Sequence, residues 1–158
     1  MNRPYIKPVH IVAEFIGIIT TVVALLYSVI KAAMTEGEIA THYDFSGNVD
    51  GYGSPWVMII LPIIMLVTMI IMVLSLHLAS PGAWNFPFKV NPERAVLVYS
   101  DATMAIALME AEIGIYTLAM SMTFTDGKVA FPLSMILVAA LAVSTTVCIV
   151  KAAKDNRQ

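Results

Sequence analysis

Charged residues are scarce in this chain: Asp, Glu, Lys and Arg make up 13% of its 158 residues, about half the share usual in soluble domains. With 59% hydrophobic residues and a mean hydropathy of +0.82, the composition predicts an integral membrane protein. Cysteine is almost absent. The single Cys148 rules out an internal disulfide and a multi-cysteine metal cluster, and its place in an apolar run marks it as a small packing residue. Basic residues are also few, nine Lys+Arg against 11 Asp+Glu. No basic surface is available to neutralise phosphates, so the expected partner is the lipid bilayer and not nucleic acid. Neither G-x-S-x-G nor H-E-x-x-H occurs, and the lone cysteine has no evident histidine partner. No catalytic residue is therefore assigned, and a non-enzymatic role leads.

What the chain has in quantity is long apolar runs, at about 9–30, 56–78, 95–122 and 129–150. Each reaches the ~20 residues that span a bilayer as helix. The expected fold is an all-α integral membrane domain over residues 1–158, with four transmembrane helices and a structured extracytoplasmic loop between the first two. Arg3, Lys7, Lys89, Arg94, Lys151, Lys154 and Arg157 flank one side, Lys31 and Lys128 the other. That asymmetry predicts cytoplasmic N- and C-termini and an outer 41–53 loop. The first run is too long for a signal-peptide core and is read as retained.

Acids inside these runs are the second anomaly. Glu14, Asp101, Glu110 and Glu112, with His10 and His77, are candidate ligand- or proton-binding residues, because an intramembrane carboxylate is costly unless paired, protonated or facing water. His10 and Glu14, four residues apart on one helical face, suggest a pair; snorkelling to the interface is the alternative. On the third helix, at about 100° per residue, Asp101 and Glu112 fall within ~20° of one another and Glu110 about 180° away. If a four-helix bundle has one interior, the other acidic face needs a second subunit or a water-filled crevice, or its acids remain protonated. A homodimer through this helix, with Gly114 and Ala111 allowing close approach, is the expectation. Pro62 predicts a kink in the second helix. Trp84, Phe86 and Phe88 predict an aromatic segment at the inner headgroups, and Asn91-Pro92-Glu93 a helix start.

The loop Thr41–Gly53 carries three glycines in its last seven positions, with Asn and Asp between them. Gly47, Asn48, Gly51 and Tyr52 predict tight turns, and Tyr43, Phe45 and Tyr52 anchors onto the helix ends. His42, Asp44 and Asp50 are candidate ligands for a divalent cation. The spacing matches no calcium-hand loop, and the alternative is that these side chains hydrogen-bond the loop's own backbone.

The segment Glu38–Ser54, leading into Leu61-Pro62, resembles a widespread bacterial and archaeal membrane domain of unknown function, best known from the N-terminal part of immunity proteins of the sporulation-delaying toxin type. His42, Tyr43, Asp44, Gly47, Asp50, Gly51, Tyr52 and Pro62 carry the likeness; Ala40 and Pro55 stand where that domain usually has proline and often has lysine. The resemblance implies a multi-pass protein of a prokaryotic plasma membrane and, as in characterised relatives, resistance to a secreted peptide. Three functions follow as expectations. The leading one is a receptor- or immunity-like protein binding a peptide, lipid or ion through the 41–53 loop and the intramembrane acids. The others are a small proton- or cation-coupled transporter and a metal-dependent membrane enzyme.

Overall fold

The computed structural model describes residues 3–157. Among them four helical segments are long and apolar enough to cross a membrane, Pro8–Met34, Pro55–Leu78, Pro92–Thr123 and Gly127–Asp155, and the chain is a multi-pass membrane protein. The α-helices proper are α1 (Pro8–Met34), α2 (Ile60–Leu78), α3 (Ala95–Thr123) and α4 (Gly127–Asp155). The first and last outrun the apolar stretches that announced them. Lys31-Ala32-Ala33-Met34 and Lys151-Ala152-Ala153-Lys154 are good helix formers, so the helix persists beyond the hydrophobic limit.

Between α1 and α2 the all-helical expectation needs correction. Residues here form an antiparallel hairpin of β1 (Ile39–Tyr43) and β2 (Val49–Gly53), with irregular register on either side of His42. A 3₁₀ turn, Pro55–Ile59, then leads into α2. Pro62 is buried in the first turn of α2, where a backbone N–H is dispensable. It marks the passage from 3₁₀ to α-helix instead of kinking a running helix.

The helix order decides how the acids are housed. α3 is central: α1 lies along one side of it and α4 along another, with α2 against α1 and α3. The α1–α3 seam is built from small residues, with Ala13, Ala107 and Ala111 in its core. Gly17 leaves no room for a Cβ, which would collide with the Glu110 carbonyl, and Gly114 sits equally tightly against Gly17 and Thr20. One chain therefore houses both faces of α3 without closing them equally: Glu110 is sealed against α1, Asp101 is buried beside Lys151 of α4, and Glu112 is only half-buried. Gly114 and Ala111 serve the contact with α1.

Polar latches fix one end of the bundle. Arg3 Nη1 donates to the carbonyls of Leu76 (3.0 Å) and Ala79 (2.9 Å), satisfying the C-terminal end of α2. Asn156 accepts from the Asn91 N–H at 2.7 Å and donates to the Lys89 carbonyl at 3.0 Å, tying α4 to the start of α3. The Asn91 side chain accepts from the Glu93 N–H, the N-cap expected there. At the same end Tyr5, Trp84, Phe86, Phe88 and Tyr99 form a chain of ring contacts with centroids 5.7–6.3 Å apart. The hairpin occupies the opposite end, over the turn joining α3 to α4.

Candidate functional site

The structure separates the intramembrane acids into three sites, one between α1, α2 and α3 and two at different heights along the side of α3 that meets α4. In the first, Glu14 of α1 and His77 of α2 meet across antiparallel helices, with Oε2 2.9 Å from Nε2. The expected His10–Glu14 pair is not formed. His10 is 1% exposed, and its Nδ1 accepts the Lys7 N–H at 3.1 Å, closing the first turn of α1. Side chains on a helix lean toward its N-terminus, which carries the ring to this donor and away from the carboxylate one turn later. Glu110 of α3, within electrostatic range of Glu14, is fully buried. Neither of its carboxyl oxygens has a hydrogen-bond partner, and Glu14 Oε1 is likewise unpartnered. This pair of acids is the most costly arrangement in the chain, since several kcal/mol attach to an unpaired carboxylate in a bilayer.

The second site pairs Asp101 of α3 with Lys151 of α4, which also bonds Asp155 at 3.1 Å. Lys151 lies just past the apolar run that marked the fourth helix. It joins the site because α4 continues to Asp155. With Lys7, His10 and Ser100, Asp101 and Lys151 line a cavity of about 200 Å³ between α1, α3 and α4. The third site is Glu112, whose Oε2 accepts a hydrogen bond from Ser144 of α4 at 2.9 Å.

At the hairpin, His42 Nδ1 and Asp50 Oδ1 are 2.5 Å apart on neighbouring strands. Asp44 does not join them. Its Oδ1 accepts from the N–H groups of Ser46 and Asn48, both at 2.8 Å, and Oδ2 from the Asn48 amide at 3.0 Å. These bonds hold its carboxyl below the ordinary value, the Asn48 N–H contributing most. Gly47 completes the turn with φ 77°, a conformation that favours glycine. The three-ligand set of His42, Asp44 and Asp50 is thus not assembled. Among the described residues no three His, Cys, Asp or Glu side chains are grouped to hold a metal ion.

Of the three expected aromatic anchors only Tyr43 is one. Its hydroxyl donates to the Phe124 carbonyl at 3.0 Å and its ring covers Gly127, docking the hairpin on the α3–α4 turn. Burial, then the nearby Asp126, push its hydroxyl pKa up. Phe45 is 94% exposed and Tyr52 66%. Phe45 lies in the turn beyond the end of β1, past the strand residue that docks on the bundle, and Tyr52 stands on β2 opposite Ala40.

A family model described as Domain of unknown function (DUF1648) matches residues 19–66, a stretch that takes in most of α1, the whole hairpin and the start of α2. No curated protein and no solved structure matches the chain. What the chain is similar to is therefore a domain whose matched part centres on the hairpin, joined to α3 and α4, which supply Asp101, Glu110 and Glu112.

Proposed function

We propose that the protein is a non-enzymatic, receptor- or immunity-like component of a prokaryotic plasma membrane, which uses its 41–53 hairpin to bind a peptide arriving from outside the cell. The observation that carries this reading is Phe45, presented almost free of contact at the tip of a hairpin that Tyr43 fastens to the bundle. A large aromatic held at a fixed point loses little conformational freedom on binding and supplies much contact area. Tyr52 on β2 and Trp56 in the following 3₁₀ turn are exposed as well. Seven of the nine Lys and Arg residues flank the end away from the hairpin, which supports cytoplasmic termini and an outer hairpin. The likeness to the N-terminal domain of toxin-immunity proteins adds the class of ligand. On this reading the His42–Asp50 pair stiffens the hairpin and is also the place where a divalent cation would add to a peptide complex. Self-association on this reading uses the open sides of α2 and α4.

The test is protection. A toxin-sensitive bacterium expressing the protein should survive sporulation-delaying peptide toxin, and Phe45→Ala should lose that protection at unchanged protein level. Absence of protection by the wild type sinks the reading.

A second reading, proton- or cation-coupled transport, is favoured by the unpartnered carboxyl of Glu110 beside Glu14. Proteoliposomes loaded with a pH-sensitive dye would show a flux that Glu110→Gln removes; equal leak in empty liposomes rejects it.

A further inference from the structure

Glu112 sits on the side of α3 that neither α1 nor the hairpin covers. Counting at 1.5 Å per residue, it lies ~26 Å along α3 from Ala95 and ~17 Å from Thr123, within hydrocarbon depth. Here α2 and α4 flank α3 without closing over it. The groove between them has a volume of about 370 Å³ and a mostly apolar lining that includes Met65, Ile113, Leu137 and Leu141, with Glu112, Tyr116 and Thr68, whose hydroxyl is already bonded to the Ile64 carbonyl. Among the described residues no Lys, Arg or His forms an ion pair with Glu112; its partner is the Ser144 hydroxyl.

These features select a ligand class. One serine hydroxyl does not offset the cost of a carboxylate at this depth, so the site has unmet demand for positive charge. A small metal cation would need several more oxygen ligands than the groove supplies. An anion would meet the carboxylate. A monovalent organic cation with an apolar body satisfies both parts of the lining: its surface replaces lipid against Met65, Ile113 and the leucines, and its charge lies near Glu112. Tyr116 offers a ring face that attracts the same charge. Such a molecule partitions into the bilayer and would enter sideways, from the acyl chains.

We propose that the α2–α4 groove is a lateral binding site for a hydrophobic monovalent organic cation, with Glu112 as its counter-charge. The site is independent of the hairpin and needs no peptide ligand.

The probe is radiolabelled tetraphenylphosphonium, added to the full chain in nanodiscs of zwitterionic lipid, with empty nanodiscs as the blank. Wild type should bind it saturably at one per chain. Glu112→Gln should weaken binding about tenfold or more, whereas Ser144→Ala should leave it equal or tighter, because the serine competes for the carboxylate. Leu141→Trp, which fills the groove without altering charge, should abolish binding and guards against misfolding of the Glu112 variant; circular dichroism reports folding in each case. Binding no greater than to empty nanodiscs, or binding that Glu112→Gln and Leu141→Trp leave unchanged, overturns the proposal.

Discussion

Replacing Glu110 by methionine should stabilise this protein, and replacing Glu14 by methionine should destabilise it. Glu110 is fully buried and both its carboxyl oxygens lack partners. Burying a polar group uncompensated costs about 1–3 kcal/mol by protein mutational measures. Methionine is close to glutamate in length and unbranched, and volume-conserving swaps usually cost less than ~1.5 kcal/mol. The net change for Glu110→Met is then a stabilisation on the order of 1 kcal/mol, a rise of roughly 2–4 °C in midpoint for a chain of this size. Glu14 differs in one respect, since its Oε2 holds His77 at 2.9 Å. Removing it strands the imidazole between α1 and α2 and should cost about 1–3 kcal/mol.

The assay is thermal unfolding of wild type, Glu110→Met and Glu14→Met in one detergent at neutral pH, followed by near-ultraviolet circular dichroism. Opposite signs are the expected outcome. A fall of more than about 4 °C for Glu110→Met would mean that its carboxyl makes a bond worth more than its desolvation, and the reasoning from unpartnered oxygens would be wrong. A stabilised Glu110→Met that has lost ion flux or ligand response would show that the acid is kept for function at a cost in stability.

Three other outcomes follow from the same structure. Gly17→Ala places a methyl against the Glu110 carbonyl and should lower stability by about 1–3 kcal/mol through forced separation of α1 and α3; an unchanged melting curve would show a looser seam. Because Asp44 is held below its ordinary value of 3.8, its contribution to the turn is complete above that value and is lost as pH falls through the still lower folded one. Hydrogen exchange at Asn48, corrected for the intrinsic rate, should be flat from pH 7 to about 5 and speed up in more acid solution, and a flat profile to pH 2 contradicts this. In intact cells an impermeant thiol reagent should label Asn48→Cys and not Val90→Cys, whereas the reverse pattern inverts the orientation.

The helices were legible because a span must be apolar for ~20 residues whatever packs beside it. Their ends were less so, since the hydrophobic signal stops with the apolar run, while Lys31–Met34 and Lys151–Asp155 continue as helix on good helix formers, with Ala32 and Ala152 buried and Lys151 paired to Asp101. The hairpin was visible only as a turn-rich loop. Its strands are five residues each, and β2 is Val-Asp-Gly-Tyr-Gly, with two glycines in place of the β-branched residues that mark a strand. The turn itself was readable, down to the alternative that Asp44 would bond its own backbone. Glu14 and His77 could have been matched by depth: one lies near the start of α1, the other near the end of an antiparallel α2. Nothing in the periodicity said that those two helices would touch there.

The angular separation of Glu110 from Asp101 and Glu112 follows from the sequence, but it does not by itself demand a second subunit. Opposed acidic faces demand a second subunit only if each helix has a single covered side. α3 breaks that premise, because α1 closes on it through Ala13 and Gly17 at one side and α4 reaches it with Ser144 and Lys151 at another. The consequences are chemical. Glu110 is fully buried in a seam of small residues, Asp101 is paired with a lysine near the end of the apolar run of α4, and Glu112 faces a groove that the bundle leaves open. Residues two positions apart thereby acquire unrelated surroundings. Glu110 and Glu112 share no hydrogen-bond partner, so a response that follows one and ignores the other would assign an activity to its site.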